Sequence, residues 1–193
     1  MFGRVLSDLK VKFIKFRCLK KFMVKKALIL IDFENEWINE DSEYFVGNIT
    51  ETVNRVNKLI GYCRNENYKI IFIRHVEKDS KKEFVENSNN VEIMNEINKD
   101  NSDVLVTKYK ISPFYQTNLQ EELDEIEEVI VSGILTNLCV RSFIQDAYDR
   151  DFVIKVIKDC CVSFDQETQD FTFKDLKDTR DEIEFLNLDE FVQ

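Results

Sequence analysis

Several apolar runs in this chain stop on a side chain that can do chemistry. "ALILID" (27–32) ends on Asp32, and "YKIIFIRH" (68–75) on Arg74 and His75. "DVLVTK" (103–108) ends on Lys108, and "FVIKVIKD" (152–159) on Asp159. "EVIVSGI" (128–134) passes through Gly133 into "LTNLCV", which carries Cys139. An aspartate placed where Val or Leu would continue a buried run points to function. An acid, a lysine and a thiol are the parts of an activated nucleophile. Cys139 itself has two readings. Two or three residues into a helix capped by Thr136 or Asn137, it would meet unpaired amides and the positive dipole end, which favour the thiolate. Equally, it is a small buried residue filling space.

The elements that must position these residues follow from periodicity. The five runs above are continuous and apolar, as strands buried on both faces are. Between them lie helical stripes. Ile49, Val53, Val56, Leu59 and Ile60 form one, with Asn48 or Thr50 as cap, and Val140, Phe143, Ile144, Ala147 and Tyr148 form another. "FVENSNNVEIMNEIN" reads as a weaker helix, "TNLQEELDEI" as a short one, "QETQDFTFKDLKD" as a further one, and "IEFLNLDEF" as a short last strand. Strand and helix in turn predict right-handed βαβ units. The expected fold is an α/β three-layer αβα sandwich around a six-stranded, mostly parallel, Rossmann-like sheet. In such a sheet, side chains at the carboxyl ends of the strands share one edge, where chemistry gathers.

Bulk properties narrow the classes. The 193 residues suit one domain, and with one proline and four glycines no linker divides them. The net charge of −10 is uneven: residues 1–26 hold nine Lys/Arg and one acid, and the rest is strongly acidic. An acidic body argues against nucleic acid or an anionic membrane as partner. No run reaches the apolar length of a transmembrane helix. Residues 1–24 lack the apolar core of a secretory signal and read as a basic extension outside the fold, leaving 25–193 as the domain. Five cysteines without CxxC spacing, and a single histidine, predict reduced thiols in a cytoplasmic setting and no Cys/His zinc site.

Three blocks carry a family resemblance. "ALILIDFENEW" is similar to the opening strand of the isochorismatase-like cysteine hydrolases, a family that includes nicotinamidases and N-carbamoylsarcosine amidohydrolase. Its catalytic aspartate falls on Asp32, and Glu34 and Glu36 stand where related chains often carry Gln and Asp. "TKYKISPF" resembles the family's K-x-x-x-S-x-F block, whose spacing to Ser112 and Phe114 selects Lys108 over Lys110. "SGILTNLCV" resembles the nucleophile turn and places the nucleophile at Cys139.

The resemblance implies Asp32 as general base, Lys108 as its partner and Cys139 as nucleophile. It also implies a cis peptide between Ile134 and Leu135, with the amides of Leu135 and Cys139 as oxyanion hole. The thiol favours hydrolysis of a small amide or ureido compound through a thioester, with no cofactor. A vinyl-ether hydrolase using Asp32 without the thiol, or a non-catalytic oligomeric binding module, are the competing readings. Trp37, His75 and Phe114 are candidate pocket walls, and Arg74 could pair with a substrate carboxylate or, the favoured reading, with one of the many nearby acids. Nicotinamidases of this family bind a metal through an aspartate and two histidines, which one histidine cannot reproduce, so no metal is expected. The expected partners are a small-molecule substrate and further copies of the chain, as dimer or tetramer.

Overall fold

The computed structural model describes residues 25–193, so the basic extension assigned to residues 1–24 lies outside the described residues. Six strands form one sheet: β1 (Lys26–Ile31), β2 (Lys69–His75), β3 (Val104–Lys108), β4 (Glu128–Ile134), β5 (Val153–Val162) and β6 (Glu184–Leu186). Every pairing is parallel, in the order β3-β2-β1-β4-β5-β6. From β1 the chain winds outward one way through β2 and β3 and the other way through β4 to β6. The order therefore reverses between β1 and β4, which opens a crevice at their carboxyl ends.

The strands are continuously apolar because both faces are covered. Along β1, Leu28 and Leu30 enter one core with α1 (Thr50–Asn65), while Ala27, Ile29 and Ile31 enter the other. That second core is closed by α2 (Leu119–Glu122), α3 (Arg141–Tyr148) and α4 (Gln166–Thr179). The stripe of α1 packs as its spacing requires, with Val53, Val56, Leu59, Ile60 and Cys63 buried. A short α5 (Leu188–Phe191) follows β6 behind a capping box formed by Asn187 and Glu190.

Two expectations need correction. Residues 84–98 are not a helix; they hold only a 3-10 turn at Asn89–Val91. The Asn- and Ser-rich sequence sustains no apolar stripe there. Instead, Phe84, Val91, Met94 and Ile97 anchor the segment one by one in the core. Its backbone also joins the stretch after β1, with the Asn35 amide donating to Glu92 O (3.0 Å) and the Met94 amide to Phe33 O (3.0 Å). The second correction concerns β5, which runs on past Asp159, with Cys161 opposite Gly133 and Val162 opposite Ile134. Asp159 is thus not a strand terminus. Its Oδ1 accepts the Leu188 amide at 2.9 Å.

Candidate active site

Asp32 directly follows β1, and its amide continues the ladder by donating to Ile73 O at 2.8 Å. Its φ of +55° is a left-handed conformation that Asp tolerates better than most residues, and it turns the carboxyl into the crevice. Lys108 ends β3, two strands away. A spacing of roughly 4.8 Å per strand makes the gap about 10 Å. Only a long side chain can bridge it, and the Lys108 stem passes over His75, its register partner on β2. The Lys108 Nζ lies 2.9 Å from Asp32 Oδ2, 3.2 Å from Cys139 Sγ and 3.4 Å from His75 Nδ1.

Cys139 comes from the turn after β4, where Thr136–Val140 form one π-helical turn before α3. Gly133 permits that turn. A Cβ there would stand 2.6 Å from Ile31 Cβ and 3.0 Å from Val140 Cγ2, so only glycine lets β4 and the turn close on β1. The Ile134–Leu135 peptide bond is cis. Neither expected cap residue caps. The Thr136 hydroxyl donates to Val162 O (3.0 Å) and bonds Gln169 (3.1 Å), while Asn137 accepts from Ser163. Leu135 stands at the N-cap position, without a side-chain cap bond. Thr136 and Asn137 therefore fasten the turn to the end of β5.

Asp32 and Lys108 are fully enclosed, and Cys139 is 9% exposed. Enclosure reverses the expectation of an easily ionised thiol. Burial first, and then the charge of Asp32, push the Cys139 thiol above its ordinary range, and Lys108 offsets them only in part. Burial raises Asp32 as well, opposed by the Lys108 charge. Burial works against the Lys108 ammonium, but Asp32 and Cys139 outweigh it and hold Lys108 charged. The resting site is thus an ammonium–carboxylate pair beside a neutral thiol. Neither Asp32 oxygen receives a well-directed hydrogen bond, which leaves lone pairs open to a proton.

The remaining candidates divide. His75 stays beside the trio, its ring edge-to-face with Phe84 at 5.1 Å. Burial and the charges of Lys108 and Lys110 push it down to about 3, so the imidazole is neutral. Trp37 is buried among Tyr44, Phe84 and Phe164 on the same flank. Phe114 is committed elsewhere. It stacks on Phe143 at 5.5 Å beneath the Arg150 guanidinium, and Ser112 donates to Asp146 of α3. This motif pair therefore ties the segment after β3 to α3. Arg74 is bound to Glu92 (2.7 Å) and Thr107 (3.0 Å).

Sequence reasoning passed over the depth at which Glu34 and Glu36 sit. Both are enclosed, with Glu34 accepting the His75 amide and Glu36 the Phe84 amide. Two acids following Asp32 at alternate positions were the available signal. Phe84, fully buried against His75 and Trp37, had no signal at all.

A family model described as an isochorismatase domain matches residues 26–183, and the chain belongs to that family of hydrolases. The resemblance read from the three motifs is upheld. Nicotinamidase 3 of Arabidopsis thaliana is 28% identical over 165 residues, 78% of this chain and 79% of that protein. The solved N-carbamoylsarcosine amidase of Thermoplasma acidophilum superposes with a TM-score of 0.76 at 23% identity, covering 86% of this chain and 98% of that one. The pyrazinamidase of Pyrococcus horikoshii, solved in complex with zinc, superposes with a TM-score of 0.76 at 18% identity, over 84% and 99%. At these identities the structural likeness establishes the fold alone.

The residues present do not fit a metal of the nicotinamidase kind. His75 is the chain's one histidine, and its Nδ1 faces the Lys108 ammonium, which would repel a cation. Among the described residues no three His, Cys, Asp or Glu side chains converge to hold an ion.

Proposed function

We propose that the protein is a cysteine amidohydrolase that cleaves a small carboxamide or ureido compound through Asp32, Lys108 and Cys139. One observation carries this reading: Lys108 Nζ lies 2.9 Å from the Asp32 carboxylate and 3.2 Å from the Cys139 thiol at the topological switch of the sheet. The likeness to an N-carbamoylsarcosine amidase and a nicotinamidase supports a C–N bond as the target.

Because the thiol rests neutral, attack and ionisation proceed together. Sγ adds to the amide carbonyl as Asp32 takes the thiol proton. The developing thiolate keeps the Lys108 charge at contact distance. The carbonyl oxygen becomes an oxyanion that the Leu135 and Cys139 amides are assigned to receive, and a single such donor is worth roughly 3 kcal/mol. Collapse breaks the C–N bond, and the amine leaves with the proton held by Asp32. Asp32, ionised again, then draws a proton from water, whose oxygen attacks the thioester and frees the acid and the thiol. The free thiols at Cys63, Cys139, Cys160 and Cys161 agree with a reducing, cytoplasmic setting.

The test is a panel of small carboxamides and ureido compounds, read by ammonia release, with acid quenching and intact-mass detection of an adduct on Cys139. Turnover with an acyl adduct, both lost in Cys139→Ala, is the expected result. Vinyl-ether cleavage that survives Cys139→Ala would replace this reading with the ether hydrolase. No turnover and no adduct on either class would leave a binding module.

A further inference from the structure

Glu34 is a buried acid that the mechanism above does not use. It follows Asp32 by two residues, and its side chain is completely enclosed. Its Oε1 accepts the His75 amide, while its Oε2 reaches no partner among the described residues. Facing it are Asp32 from the end of β1, Arg74 and His75 from β2, and Lys108 from β3. Glu92, from the segment before β3, takes up the Arg74 charge, and Thr107 takes a further Arg74 donor. His75 contributes a backbone amide and a neutral ring. That leaves Lys108, already in contact with Asp32. One ammonium cannot compensate two enclosed carboxylates, and an uncompensated buried charge neutralises instead. Oε1 must keep a lone pair for the His75 amide, so the proton belongs on Oε2.

We propose that Glu34 is a positioning residue of the catalytic trio: it carries a proton in the working enzyme, leaves Lys108 to Asp32 and Cys139, and thereby keeps Asp32 the ionised base. The inference rests on Asp32 acting as the base. Burial and the neighbouring Asp32 charge both push the Glu34 carboxyl well above the usual carboxylate range, in the same direction as the geometric argument. A glutamine there would offer a neutral head of the same reach. Glutamate differs in one respect, because it can lose its proton. An ionised Glu34 competes with Asp32 for Lys108 and draws the ammonium away from the sulfur, so it sets an alkaline limit on thiolate formation.

Two measurements test this. In protein carrying 13C at the glutamate side-chain carboxyls, NMR from about pH 5 to about pH 10 should show a carboxyl still protonated at neutral pH that titrates only on the alkaline side. That resonance should be absent in Glu34→Gln. If the variant fails to fold, the wild-type spectrum decides alone, and no glutamate protonated at neutral pH overturns the proposal. The second measurement is the pH profile of Cys139 alkylation by iodoacetamide. The wild type should show an alkaline inflection that coincides with the NMR titration and that Glu34→Gln lacks. Glu34→Ala should slow alkylation about tenfold, with most of the loss rescued by Glu34→Gln. An inflection that persists in Glu34→Gln overturns the proposal. A Cys139 that resists alkylation in every form, beside a protonated Glu34, counts against the hydrolase reading instead.

Discussion

The turn after β4 and the end of β5 lie side by side, and both present buried cysteines, yet they differ in company. Cys139 meets Lys108 at 3.2 Å and the charge of Asp32. Cys161 donates to the Ile157 carbonyl at 3.4 Å, and Cys160 sits in the opposite core. Burial pushes all three thiols up, Cys161 to about 12. Burial therefore does not separate the proposed nucleophile from the filler. A base and a cation within reach do, and the lone glycine of β4 together with the crevice beside β1 supply the room for them.

The largest effect expected from breaking this contrast is at Cys139. Cys139→Ala should lower amide turnover by about four orders of magnitude or more. Cys161→Ala should leave turnover within a small factor and cost about 1–2 kcal/mol in urea melts, as a small buried truncation does. Equal losses of turnover would erase the distinction.

Lys108 comes next. Lys108→Met strands the enclosed Asp32 charge, and removing one partner of such a pair costs about 3–5 kcal/mol. Adding Asp32→Asn should restore much of that stability and none of the activity. A double variant as unstable as Lys108→Met would show that the pair is not what stabilises this region.

Gly133→Ala forces a Cβ against Ile31 and Val140, and overpacking of this kind costs about 1–3 kcal/mol. Because the displaced residue is Ile31, next to Asp32, kcat should fall more than the melting temperature suggests. An alanine accepted at full stability would contradict the close approach.

The subtlest effect is in stability against pH. His75 titrates near 6.5 when unfolded and at about 3 in the fold, so the folded state binds fewer protons between those values. Its contribution is complete above the unfolded value and is lost as pH falls. Glu34 is raised, so the folded state keeps a proton that the unfolded chain releases, and stability declines as pH rises above the ordinary glutamate range. Melts across pH should show both limbs, with His75→Gln flattening the acid one and Glu34→Gln the alkaline one. Limbs unchanged in both variants would assign the pH dependence to other groups.

Much of this architecture was legible because both kinds of element leave strong periodic signals. The β1, β2 and β4 runs are apolar on both faces, and the α1 stripe returns every third or fourth residue. The stretch 84–98 was misread because its apolar residues, from Phe84 to Ile97, are spaced as separate anchors, and their meaning depends on where the sheet stands. The packing of Phe114 was not legible for a related reason. Its ring is claimed by Phe143, which follows it by 29 positions.

By itself the sequence determined the fold class, the family and the three residues to which the proposed chemistry is given, since strand termini and motif spacing are local properties of the chain. The tertiary structure decided the state of those residues. Ionisation depends on solvent exclusion and on charges brought from distant strands. Only the packed sheet carries Lys108 across β2 to Asp32, buries the thiol in its neutral form and encloses Glu34 beside both.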